Sequence, residues 1–451
     1  MYTYIWNKYL PVIRILLKRS ATTEQTLDLN RGDFERAGIG RKAGYKFNIE
    51  FTEGKVSNVI SGSDLATHLA TAMLEDAAAK NIHLSAGAVK NIPSLLNNNP
   101  AFILFNSGGN YIDSEHHFHW SNLTFDQNSH LLSVDSLNYR PALSRDSLIS
   151  IRPHQVDYIT THTGRIQLQD VNVASYLNDT IFKAGKLIVE KPVITAYRDA
   201  TKPFRHGHTK YLPSLAIQKL PPLFSLDAIQ LNDAAVTYIQ VDKKTGKTGT
   251  IPVTHLNVTL STIRNYDLKP EDSLELKAEG LLMDKIPIQL LARESYLDSI
   301  GAFSLFLTSG PAELGILNPV LIPLVSAKLK SGHLDSMTMH VTADEYVSAG
   351  DMKINYSNLR ISILKKGNEY DKTIVTRLAN FAANTFFLKH KNTKRTGAVY
   401  FERNRERSFF NYLVKMTISG IANSAGIKKD KKKIRRYQRE KNSPGTGGKN
   451  G

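Results

Sequence analysis

Between Phe303 and Leu364 the residues change character at nearly every step, and that rhythm limits the chain more than any other feature. Phe303, Leu305 and Leu307 recur at every second position, as do Met337, Met339 and Val341 after Leu334. A period of two puts successive side chains on opposite faces of an extended strand, so these runs predict a sheet with one apolar and one wet face. A short apolar segment from Leu314 to Val325, carrying Pro319 and Pro323, separates the first run from Ser331-Gly332. The pattern then predicts a turn at Ala349-Gly350 and a last strand from Met352 to Leu364.

Strand-like texture of this kind begins near residue 100 and lasts to about 365, with turn signals between the runs. It also echoes itself. Ala184 to Thr195 aligns with Leu226 to Thr237, so that Leu187 matches Ile229, Val189 matches Leu231 and Ile194 matches Val236. A second echo places a polar pair ahead of strand residues at Ser121-Asn122-Leu123, His255-Leu256-Asn257 and Ser357-Asn358-Leu359. Weak internal similarity suits a sheet built by stacking hairpins, although amphipathic strands also resemble one another by chance. Before the Asn97-Asn98-Asn99-Pro100 break, residues 1–88 read as a small α+β unit. It has a clean strand at Tyr45 to Phe51 and a helix capped by Ser63. The expected organisation is therefore that unit, a β-repeat domain over 89–366, a helix-strand-helix segment over 367–427 and a basic tail over 428–451.

The net charge of +17 suggests nucleic acid until it is located. From Lys389 onward there are 18 Lys/Arg against four Asp/Glu, which leaves about +3 for the preceding 388 residues. The basicity belongs to the tail, which also offers only Tyr437 for base stacking. The absence of cysteine excludes disulfides and thiolate chemistry. The first twenty residues are apolar but interrupted by Lys8, Pro11 and Arg14, so they predict an amphipathic segment rather than a membrane span or a signal peptide. His117 and His119 alternate onto one strand face as two metal ligands would, and His206 and His208 repeat that spacing. No carboxylate pattern accompanies them, so they read more simply as surface histidines. Lys244-Thr245-Gly246-Lys247-Thr248 lacks the upstream glycine of a phosphate loop and reads as a hairpin turn. No nucleophile elbow, zinc-protease helix or catalytic carboxylate pair stands out, and no cofactor is expected.

Beyond Leu364, Asp371 opens a predicted helix with Ile374, Leu378 and Phe381 on one face. A strand at Gly397 to Phe401 and a short apolar helix from Phe409 follow. Asn318-Pro319 ahead of Ser331-Gly332-His333-Leu334, the closing strand with Tyr356, Leu359 and Ile361, and the C-terminal Tyr400-Phe401 and Phe409-Phe410-Asn411-Tyr412 to Ser419-Gly420-Ile421 together carry a resemblance. They resemble the C-terminal part of AsmA-like bacterial envelope proteins, the group that includes TamB-like bridge proteins, in the form found in Bacteroidota. The resemblance spans roughly 100–427. It implies a mainly β fold, an elongated curved antiparallel repeat sheet with an apolar groove, and a location in the cell envelope. Such proteins usually begin with a transmembrane anchor, which is not visible here.

What the resemblance implies about function is phospholipid binding or bridging in that groove, for outer-membrane lipid homeostasis or assembly. The lipid-facing candidates are Leu187, Val189, Ile229, Leu231, Leu359, Ile361 and Ile363. The cluster Lys428, Lys429, Lys431, Lys432, Lys433, Arg435 and Arg436 suits an anionic membrane face. An assembly scaffold whose sheet edges pair with client envelope β-proteins is the alternative. A basic-tailed nucleic-acid-associated protein is the third reading.

Overall fold

A computed structural model describes residues 46–57, 102–112, 115–364 apart from 127, 128, 173, 174, 177, 178 and 244, and 390–426. The expected helices after Ser63 and after Asp371, and the tail cluster Lys428 to Arg436, lie outside the described residues. The described residues place eighteen strands in one sheet. From one side run β1 (Lys46–Ser57), β2 (Phe102–Ile112) and β3 (His116–Asp126). Three strands, each broken once, come next: β4 with β5 (Leu131–Val134, Ser136–Pro141), β6 with β7 (Asp157–Thr163, Ile166–Leu168), and β8 with β9 (Ile181–Glu190, Val193–Asp199). The long hairpin β10 and β11 (Leu223–Val241, Thr248–Arg264) leads into β12 (Ser273–Leu282), β13 (Ile286–Ser295) and β14 (Phe303–Ser309). After the short β15 (Ala312–Glu313) the sheet finishes with β16 (Ala327–Ala343), β17 (Val347–Ile363) and β18 (Thr396–Glu402).

The strands predicted around Phe303 and Leu334 are β14 and β16. The turn is displaced: it lies at residues 344–346, held by Asp344, and Ala349-Gly350 falls inside β17. Gly350 has no turn to make there. A Cβ on it would meet the His340 carbonyl oxygen of β16, so the glycine serves a close strand approach. β1 pairs with β2, so a strand from the expected N-terminal unit joins the main sheet.

The sheet is not wholly antiparallel. β8 and β9 run parallel to β10, because residues 200–222 carry the chain back along the sheet before it re-enters. This ladder explains the first sequence echo. Leu187 stands opposite Ile229, Val189 opposite Leu231 and Ile194 opposite Val236, so the aligned residues are neighbours in space. The second echo marks backbone kinks. Asn122, His255 and Asn358 all have φ near +48°, with values of 49, 47 and 48, as do Lys191 and Asp233 at 46 and 50. The ladder register shifts beside His255 and Asp233, as a β-bulge requires, and bulges raise local twist.

Among the described residues four α-helices accompany the sheet: α1 (Arg145–Ile151), α2 (Pro213–Gln218), α3 (Asn318–Val325) and α4 (Phe409–Ser424). Asn318 fixes α3 to β16 by accepting from the Leu329 amide at 2.8 Å and donating to its carbonyl at 2.9 Å. Ser408 caps α4 by accepting from the Asn411 amide. α4 buries Tyr412 and Met416 against β17 and β18, and its Gly420 lies over Met352 and Val399. Phe410, in its first turn, also sits 6.4 Å ring to ring from Tyr238 of β10. In a flat sheet β10 and β18 would be about 34 Å apart at the usual strand spacing. The sheet therefore curls around its helices. Because a Cβ on Gly420 would come within 2.9 Å of Val399, Gly420→Val should force α4 off the sheet and cost about 2 kcal/mol, read as a lower midpoint in denaturant unfolding.

Candidate functional site

Inside this curl the register builds two apolar rows at right angles to the strands. In the first, Leu168, Leu187, Ile229, Leu260, Leu276, Ala292, Leu305 and Val341 stand directly opposite one another in successive ladders. The second runs through Ile166, Val189, Leu231, Val258, Ala278, Leu290, Leu307, Met339 and Met352. Opposed residues share a face, so each row is continuous.

Burial along the rows is graded. Beneath α4 all but one member is sealed: Leu305 is 3% exposed, Val341 4%, and Met339 and Met352 0%, with Leu307 half-buried between them. From β7 to β13 every member is only half-buried. That half-buried strip is the candidate site. On the outer stripe of α4, Phe410, Ile418 and Ile421 stay exposed although the opposite helix face is packed, and Phe410 among these reaches β10, at Tyr238. Acyl chains need apolar width without hydrogen-bond donors, and the strip supplies it.

One end of the strip is stopped by polar chemistry. Glu294 of β13 is buried and accepts two hydrogen bonds from Ser214 of α2, from the amide at 2.9 Å and the hydroxyl at 2.7 Å. Burial pushes its carboxyl up to about 7, and the two Ser214 bonds only partly offset that. Nearby, Arg403, itself buried, donates to Glu345 at 2.7 Å, and Arg405 takes the other carboxylate oxygen at 2.9 Å. Tyr296 donates to the Thr262 carbonyl at 2.6 Å and closes β11 to β13 at the same end.

Leu187, Val189, Ile229 and Leu231 are brought together on the strip. Leu359 and Ile361 are not. Leu359 follows the kink at Asn358 and packs into the sealed core beside Gly332, and Ile361 stands opposite the buried Leu329. Ile363 occupies a register position opposite Ala327, away from the strip. Leu260, Leu276 and Leu290 were missed, although the alternation in Leu274-Glu-Leu276-Lys-Ala278 and Ile288-Gln-Leu290-Leu-Ala292 carries their signal.

His117 and His119 lie on β3, and burial lowers the His117 pKa. Among the described residues no group of three His, Asp or Glu is placed to hold a metal ion. His206 bonds Glu406 at 2.8 Å rather than pairing with His208. A hollow of about 710 Å³ lies on the opposite face across β12 to β17. Its lining mixes the Glu275–Arg293 pair with the Phe306–His340 stack, which suits it less well to acyl chains than the strip. No described helix is long and apolar enough to cross a membrane.

No protein-family model matches the chain, and no curated protein is similar to it.

The Glu294 environment fixes a pH response. A folded-state pKa above the unfolded value means the folded state binds the proton more tightly, so stability falls as pH rises from about 4.5 to about 7. Thermal unfolding of Glu294→Gln, which stays neutral, should lose this component between about pH 5 and about pH 8.

Proposed function

We propose that this chain is a non-enzymatic protein of the cell envelope that binds phospholipid through its acyl chains, in the manner of AsmA-like proteins. The observation that supports the reading is the graded burial of the two rows. A closed sheet core would be sealed along its whole length, whereas these rows are sealed under α4 but for Leu307 and half-open from β7 to β13. Open apolar surface of this continuity marks a binding region more often than a structural core. The basic cluster from Lys428 to Arg436 would hold the protein near an anionic membrane face.

The test is organic extraction and mass spectrometry of protein purified without detergent. Phospholipid near one equivalent is expected. Replacing Ile229 and Leu231 by Asp should abolish it while circular dichroism and cooperative unfolding persist, because the carboxylates would enter half-exposed positions. A folded, lipid-free wild-type protein would overturn the reading, and global unfolding of the double variant would identify a closed core.

A second reading, an assembly scaffold for client β-proteins, draws on β18. Among the described residues its ladder partner is β17 alone, and Ser419 of α4 caps the Tyr400 amide and carbonyl, so a client strand would have to displace that cap to pair there. A client strand crosslinked at Thr396 to Glu402, with no lipid recovered, would favour it.

A further inference from the structure

Four large apolar side chains stand exposed at one end of the sheet, on loops far apart in sequence. Leu297 (52% exposed) and Ile300 (40%) tip the β13–β14 hairpin, Tyr346 (52%) tips β16–β17, and Tyr211 (40%) lies just ahead of α2 in the crossover from β9. Singly, such residues need no explanation. Here the loops are bound into one surface. The Glu345 amide donates to the Ile300 carbonyl at 2.8 Å, the Arg403 amide to the Tyr346 carbonyl at 2.6 Å, and the Lys210 amide to the Arg405 carbonyl at 2.7 Å. Leu212 plugs the space beneath, against Gly301.

The charge around these tips is positive. The Lys219 ammonium lies 4.1 Å from the Tyr211 ring centre, and the Arg405 guanidinium lies 5.2 Å from that of Tyr346. Lys210 is exposed beside them. The acids of these loops are engaged at home. Asp298 accepts from the Ile300 and Ala302 amides, Glu406 from His206 and Gly207, and Glu345 is buried under Arg403 and Arg405. The neighbouring β11–β12 turn exposes Asp267 and Glu271, which confines the positive surface to the β13–β18 side.

We propose that this end of the sheet docks on the surface of an anionic phospholipid bilayer. Leucine and isoleucine tips enter the headgroup boundary, tyrosines sit at its level, and the flanking lysines and arginine meet lipid phosphates. The purpose of the docking rests on the groove reading, since the strands of the half-buried strip end here. The docking itself does not need a lipid in the groove.

The test uses the full-length chain and vesicles of phosphatidylcholine, with or without phosphatidylglycerol. Leu297→Trp should show a blue shift in emission with the anionic vesicles and none with phosphatidylcholine alone. Leu297→Asp combined with Ile300→Asp should abolish co-sedimentation at high salt, where attraction through the basic tail is screened. Lys210→Glu combined with Lys219→Glu should weaken low-salt binding by at least about five-fold. No shift at residue 297, or sedimentation unchanged in the Asp variant, would overturn the proposal and leave the tail or a protein partner as the contact. Extraction separates the two readings: loop variants should keep their co-purified lipid, whereas a lipid-free wild type that still docks would sink the groove alone.

Discussion

Everything in this fold depends on register across the apolar rows. Each row is continuous only because every ladder from β7 to β16 sets an apolar residue opposite another. Slipping one strand by one residue would turn its whole apolar set to the outer face. Kinked residues that interrupt the strands without breaking the rows help to hold this register. Asp233 and His255 face each other across the β10–β11 ladder at 2.9 Å, Asn232 donates to Glu190 at 2.7 Å, and Asn122 donates to Asp135 at 2.7 Å. These pairs are mostly exposed and individually weak. Their importance is positional, since they pin the bulges that add twist and curl the sheet.

Curling creates an interior, and the helices decide how much of it is filled. α4 fills the β14–β18 side with Tyr412 and Met416, whereas α2 offers little more than Ile217 to the β8–β11 side. The strip between remains half-buried. Two buried charge systems, Glu294 with Ser214 and Arg403 with Glu345, lock the crossover and the approach to α4 onto the same end. Buried polar groups of this kind are weak sources of net stability, but they reject arrangements that leave them unpaired.

Much of this was legible in the residues. Alternation located β14 and β16, and the echo between Leu187 and Ile229 turned out to be the register of a ladder. The polar pairs at Asn122, His255 and Asn358 marked the kinks, though nothing in the sequence distinguishes a left-handed residue from an ordinary strand position at Asn or His. Chain direction was not legible, because parallel and antiparallel neighbours bury the same alternation; the crossover over 200–222 decided it. Leu359 and Ile361 read like groove residues because they alternate as well as Leu187 does. Their burial depends on the segment around Leu314 and on Leu329, which local pattern cannot reveal. The exposed stripe of α4 was hidden for a related reason, since apolar and polar residues fall on both sides of this helix, with Ser419 and Asn423 on the packed face and Phe410 and Ile418 outside.

The central claim is that the half-open stretch of the two rows, and not the sealed one, receives lipid chains. Photocrosslinking with a phospholipid carrying a diazirine in its acyl chain tests it most directly, with the labelled peptides mapped by mass spectrometry. The account predicts adducts on β10 and β11, around Ile229 to Leu231 and Val258 to Leu260, and none on Met339 or Met352 beneath α4. Adducts confined to the loops or the basic tail, or an absence of adducts from a folded protein, would contradict it.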